Sequence, residues 1–138
     1  MRFLFKEDKF MELIGIHHAA IICSNYPRSK HFYSEILKLN IINEHYREKR
    51  NSYKLDLAMP DGSKVELFSF EGAPSRPSYP EAQGLRHLAF KVHNITKAKE
   101  YLESKSVAVE EIRIDEITGK KFTFFADPDD LPLELYEV

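Results

Sequence analysis

The feature that most constrains this chain is that it is written twice. "HAAIICSNYPRSKHFYSEI" starts at His18 and "HLAFKVHNITKAKEYLESK" at His87. Each places an Ala two residues after its His and an Asn seven residues after it, then a helical stretch with an aromatic in its middle. Further on come "PDGSKVELF" from Pro60 and "PDDLPLELY" from Pro128, both reading Pro-Asp, three variable residues, an aliphatic residue, Glu, Leu and an aromatic. The histidines lie 69 positions apart, and Glu66 and Glu134 lie 68 apart. Self-similarity at one period marks a duplicated supersecondary unit. The two copies cover about 14–70 and 85–138.

Each copy reads as βαβββ. "IGIHHAAII" and "LRHLAFKV" are apolar and β-rich, as first strands should be. Asn25 and Asn94 follow as helix N-caps, because a short amide accepts from the first free N–H groups of a helix. Pro27 in the first turn sacrifices no helical hydrogen bond. Apolar residues then recur at helical spacing: Phe32, Tyr33, Ile36 and Leu37 in one copy, Ile95, Ala98, Tyr101 and Leu102 in the other. Three strands follow in each copy, at about 41–49, 51–59 and 64–70, and at about 108–114, 120–126 and 132–137. The stretch "EGAPSRPSYPEAQG", 71–84, carries three of the seven prolines and reads as the linker. The expected class is therefore α+β: two βαβββ modules whose mixed sheets each carry a helix on one face.

Strand residues alternate between faces, so the pattern assigns directions. Leu88, Phe90 and Val92 share the helix face, as do Val65 with Leu67 and Leu133 with Leu135. Glu66 and Glu134 then point to the opposite face. His18 shares the face of Ala20 and Ile22, and His87 that of Ala89 and Lys91. Each copy thus puts one His and one Glu on the face away from its helix. Where two such faces meet they line a cleft, either within one chain or across a dimer. Imidazole nitrogen with carboxylate oxygen suits a divalent first-row metal: Ni, Zn, Co, Mn or Fe. His17, His31, His45 and His93 lack this pairing and read as surface or packing residues.

The bulk numbers narrow the partners. A formal net charge of −2 gives no nucleic-acid footprint and no charged face for a membrane surface. The opening "MRFLFKEDKFMEL" has no long apolar run. Residues 1–13 read as an N-terminal extension, docking or fraying through Phe3 and Phe5, with Met11 as a second possible start. The single Cys23 forbids an internal disulfide, fits a reduced cytoplasmic setting, and reads as a small buried hydrophobe on the first strand.

At these residues the chain resembles the vicinal oxygen chelate superfamily, the glyoxalase I-like fold. "HHAAIICSN", "KVELFSF", "GLRHLAF" and "DPDDLPLELYEV" match that family's four metal-ligand segments in order. "YREKRNSYKLDLA" and "KKFTFFADPD" resemble a bacterial subgroup of glyoxalase-like proteins. The resemblance covers nearly all of 14–138. It implies His18, Glu66, His87 and Glu134 as ligands of one divalent metal, with Glu134 or Glu66 as general base. It further implies a lyase or isomerase that moves a proton through an enediolate of a small α-hydroxycarbonyl or thiohemiacetal. Dioxygenases and thiol transferases of this fold resemble a two-His-one-Glu pattern, and Glu66 counts against both. A metal-retaining binding protein without turnover is the alternative from another class. One departure is Asp130, where the family usually has Gly after Pro-Asp. It predicts a left-handed backbone, which Asp tolerates better than most residues.

The middle strands supply the rest of the cleft wall. In "SYKLDLAM", alternation gives Tyr53, Leu55 and Leu57 to the helix and Ser52, Lys54 and Asp56 to the cleft. In "KKFTFFAD" both faces are partly aromatic, so periodicity leaves open whether Phe122 and Phe124 or Thr123 and Phe125 face inward. Arg47, Arg76, Arg86 and Arg113 lie in or beside these segments and predict an anionic substrate, a carboxylate or phosphate. The expected substrate contacts are Arg47, Lys54, Asp56, Arg86 and Phe122. The expected partners are this small molecule and a second copy of the chain.

Overall fold

Each copy folds as the unit that the repeat predicts, and the computed structural model describes residues 10–138. The expected contacts of Phe3 and Phe5 lie outside the described residues. The first copy contains β1 (His18–Cys23), α1 (Tyr26–His31), β2 (Asn40–Arg47), β3 (Ser52–Ala58) and β4 (Lys64–Ser69). The second contains β5 (Leu88–Val92), α2 (Ile95–Ser104), β6 (Arg113–Ile114), β7 (Lys121–Ala126) and β8 (Pro132–Glu137). The sheets run β1-β4-β3-β2 and β5-β8-β7-β6, so the first strand of each copy lies at a sheet edge. It pairs parallel with the last strand, while the other pairs are antiparallel.

The caps act as predicted. Asn25 Oδ1 accepts from the Arg28 N–H and Asn94 Oδ1 from the Lys97 N–H, both at 3.0 Å. The first helix runs on into a π turn, Phe32–Ile36, closed by the Leu37 N–H on the Phe32 carbonyl at 2.9 Å. That wider turn delivers both Phe32 and Tyr33 into the core.

Three strand limits differ from the sequence expectation. β1 starts at His18, because its partner β4 starts opposite it at Lys64 and gives the earlier Ile14 and Ile16 nothing to pair with. Likewise β5 starts at Leu88, opposite Leu133. β6 shrinks to two residues. The Thr123 hydroxyl instead donates to the Glu110 carbonyl at 2.8 Å, and that stretch runs beside β7 without regular pairing.

One core joins the two copies. Leu55, Leu57, Val65 and Leu67 of the first sheet belong to the same apolar cluster as Phe125, Leu133 and Leu135 of the second. Phe32 and Tyr33 from one helix and Ile95 and Leu102 from the other fill the space between them. Each fully buried Leu, Val or Phe contributes about 1.5–3 kcal/mol relative to exposure. Polar bonds fix the alignment. The Tyr33 hydroxyl donates to Asp127 at 2.7 Å, and the Tyr101 hydroxyl to the Ile36 carbonyl at 2.7 Å. The two sheets therefore turn their helix faces toward this core, and the faces carrying Glu66 and Glu134 turn away from it.

Candidate metal and substrate site

Pairing of the first strand with the last strand builds a half-site in each copy. Ala20 lies beside Glu66 and Ala89 beside Glu134, with the histidine two residues earlier on the same face. His18 Nε2 stands 3.5 Å from Glu66 Oε1, and His87 Nε2 stands 3.0 Å from Glu134 Oε1. The carboxylate side chains are only 10 % and 12 % exposed, so each is held on its sheet with the imidazole as its opening to solvent. The other ring nitrogens are engaged as well: His18 Nδ1 lies 2.9 Å from His17 Nδ1, and His87 Nδ1 lies 2.9 Å from Arg86 Nη1.

The donor types fit a divalent cation, one nitrogen and one oxygen per half-site. The number does not suffice in one half-site. Among the described residues, no three His, Cys, Asp or Glu side chains gather closely enough to hold one metal ion. Each pair stands on the face of its sheet opposite the residues that enter the common core. Of the two arrangements the sequence leaves open, one chain alone does not join the pairs. The Arg86 contact adds a condition. A guanidinium only donates, so His87 Nδ1 accepts from it and Nε2 carries the ring proton. Coordination through Nε2 requires that proton on Nδ1, and hence a turn of Arg86 away from the ring.

The expected substrate contacts divide between the halves. Lys54 Nζ sits 2.9 Å from Asp56 and 3.8 Å from Glu66, so these two residues extend the first half-site. The Arg47 guanidinium lies over Phe68 at 4.8 Å and Phe70 at 5.7 Å, and its buried Nε has no hydrogen-bond partner among the described residues. Ser52, expected to line the cleft, is instead fully buried, with Arg47 Nη2 on its hydroxyl at 3.3 Å. Tyr53 is on the helix side as expected but stacks on Tyr26 at the rim, 40 % exposed.

In the second half the open choice resolves. Thr123 and Phe125 are buried toward the helix, which leaves Phe122 and Phe124 on the face of Glu134. Phe124 pairs in register with Glu134 and meets His87 edge-on at 5.0 Å. The sequence pattern missed Phe124 because both faces of its strand are aromatic. The other histidines stay out of both half-sites, apart from His17 against His18. Cys23 is buried, and burial chiefly, then nearby Asp129, pushes its thiol up to about 11, so it is a poor nucleophile near neutral pH.

Residues 15–135 match the sequence model of the glyoxalase/bleomycin resistance protein/dioxygenase superfamily. The chain belongs to that superfamily. Members of this glyoxalase superfamily are often enzymes and commonly bind divalent metals. Relatives occur in bacteria. The uncharacterized protein YwkD of Bacillus subtilis (strain 168) is 56 % identical over 127 residues, which is 92 % of this chain and 99 % of YwkD. The uncharacterized protein YaeR of Escherichia coli (strain K12) is 56 % identical over 122 residues, 88 % of this chain and 95 % of YaeR. The crystal structure of a glyoxalase family protein from Enterococcus faecalis, 49 % identical, superposes with a TM-score of 0.83 over 89 % of this chain and 97 % of that one. Among the described residues no helix is long and apolar enough to cross a membrane.

Proposed function

We propose that this glyoxalase-superfamily chain is a divalent-metal-dependent lyase or isomerase. It acts on a small α-hydroxycarbonyl or thiohemiacetal, and its metal is held by His18 and Glu66 of one chain with His87 and Glu134 of a second chain. One observation carries the reading: two His–Glu pairs occupy equivalent strand positions, each with Nε2 facing Oε1. Each pair supplies half of a coordination shell. The likeness to a glyoxalase family protein from Enterococcus faecalis supports the reaction class.

Exposure supports joining across copies. Among the described residues β1 and β5 are sheet edges, and an edge strand presents backbone groups to another chain. Along β1 and its lead-in, Ile14, Ile16 and Ile22 are exposed at 91 %, 88 % and 52 %. Laying β1 of one chain beside β5 of another chain covers this row and brings His18 toward His87.

His18, Glu66, His87 and Glu134 would hold the divalent metal, which would supply Lewis-acid chemistry to neighbouring substrate oxygens. Glu134 takes the proton of the adjacent C–H and returns it to the neighbouring carbon. Glu66 suits the role of fixed ligand, because Lys54 Nζ stands beside it at 3.8 Å.

Subunit mixing tests the arrangement. H18A/E66A and H87A/E134A proteins should each lose stoichiometric metal. Unfolded and refolded together in equal amounts, they should recover about a quarter of wild-type capacity, since half the dimers are mixed and each of those holds one intact site of two. No recovery would exclude a site shared between copies, and full metal in either double mutant would overturn the ligand assignment. Solvent-proton exchange into α-hydroxycarbonyl compounds under Ni, Co, Mn and Zn in turn reads out turnover. The expected result is exchange with at least one of them.

A further inference from the structure

Between the linker and the second sheet lies a cavity of about 230 Å³ whose wall includes Arg76, Arg86, Arg113 and Phe124. Phe124 is also the ring against which His87 packs, so this cavity and the His87–Glu134 pair share a wall. We propose that the three arginines bind the oxyanion head group of the substrate, a carboxylate or phosphate, beside that pair. The inference rests on His87–Glu134 being half of the reaction site, but the anion pocket itself lies within one chain and needs no metal.

The three guanidiniums are differently prepared. Arg76 is fixed by the linker: its Nε–H donates to the Ser78 hydroxyl at 2.8 Å and its Nη2 to the Leu85 carbonyl at 3.2 Å. Ser78 is itself buried, and its hydroxyl donates to the Asp130 carbonyl at 2.7 Å, which ties the linker to the turn before β8. A guanidinium has five N–H donors, so Arg76 keeps three for a ligand, and among the described residues it has no carboxylate partner. Arg113 lies over Phe122 at 5.0 Å and Phe124 at 5.7 Å, and Arg86 lies over Phe124 at 5.7 Å. Placement over a ring holds a guanidinium near the wall while leaving N–H groups for a planar or tetrahedral oxyanion.

Two carboxylates also border the cavity. Glu81 reaches Arg86 at 3.5 Å and Glu110 reaches Arg113 at 3.1 Å. Both glutamates are more than half exposed, and pairs of that kind contribute only about 0–1 kcal/mol. A ligand oxyanion that takes several charge-assisted bonds at once displaces them. The volume is below the roughly 300–1,000 Å³ of pockets that enclose a whole ligand, so the cavity suits a head group. The rest of the substrate then extends along Phe124 toward His87. An anion that draws Arg86 to itself also frees His87 Nδ1.

The test is titration of inorganic phosphate and, separately, succinate into chelator-treated protein in chloride buffer, followed by NMR of the arginine Nε–Hε signals. Saturable shifts of the Arg76 and Arg113 signals are expected with at least one anion. Phosphate alone assigns a phosphorylated substrate, succinate alone a carboxylate one, and both a pocket that reads charge. R76Q and R113Q should each weaken binding about tenfold or more. R50Q, in the first module, should leave it within about twofold, and R113K should recover only part of it because Lys lacks the fork. Each variant is checked for a native amide spectrum. No saturation by either anion, or unchanged affinity in R76Q and R113Q, would overturn the pocket. Metal stoichiometry, measured separately, should be unaffected by R76Q, so a failed anion site and a failed metal site give different results.

Discussion

At the residue scale the break in the repeat is the most informative position. Asp130 stands where the first copy has Gly62, and both have left-handed backbone, φ 66° and 88°. The sequence shows this need because Pro-Asp precedes the same strand twice, and only its tolerance by Asp departs from the pattern. The Asp130 residue is exposed, and its N–H donates to the Asp127 carbonyl at 3.0 Å, closing the turn. The conformation, not a side-chain contact, is therefore what selects the residue. D130V should cost about 1–2 kcal/mol, because a left-handed backbone puts a side chain against the following carbonyl and β-branching worsens it. D130G should lie within about 0.5 kcal/mol of wild type, since relieved strain is offset by the entropy of glycine. Urea denaturation of the three proteins checks this, and equal stabilities for D130G and D130V would refute the backbone argument.

At the element scale, the strands and both helices are legible because their periods differ and because each appears twice. The joint between copies is not legible. It depends on Asp127, which sits in the turn before β8 and accepts from the Tyr33 hydroxyl and from the Asp129 and Leu131 N–H groups at 2.7–2.9 Å. Nothing in the local pattern tells that a tyrosine from 94 residues earlier will arrive there on a π turn. Burial outweighs these bonds and raises the Asp127 carboxyl above its usual range. The folded state thus binds this proton more tightly than the unfolded chain does. The resulting stability is complete below the unfolded value of about 4 and is lost as pH rises through the raised folded value. Asn cannot ionise, so the melting temperature of D127N should gain on that of wild type as pH rises from about 4 toward 7. Thermal melts across that range check it, and a gap that narrows with rising pH would contradict the sign.

At the scale of the whole molecule, the fold and the two adjacent His–Glu pairs can be read from the sequence, but their relation cannot. Alternation says which face Glu66 and Glu134 occupy within their own sheets. It does not say whether two sheets turn those faces together or apart. That is settled by Phe32, Tyr33, Phe125 and the two helices, which draw the opposite faces into one core. A chain built this way leaves the first strand of each copy as an open edge, with Ile22 of β1 half exposed on the same face as His18. If a second chain covers that edge, its loss should separate assembly from folding. I22E places a charge where the partner would pack, and removes nothing from the core that both helices fill. The variant should keep the native far-UV spectrum and lose both the dimer mass in sedimentation and stoichiometric metal. Wild-type stability should rise with protein concentration, whereas that of I22E should not, because only dimer formation couples folding to concentration. A monomeric I22E protein that still binds one metal per chain would place all four ligands within one chain and overturn the shared site.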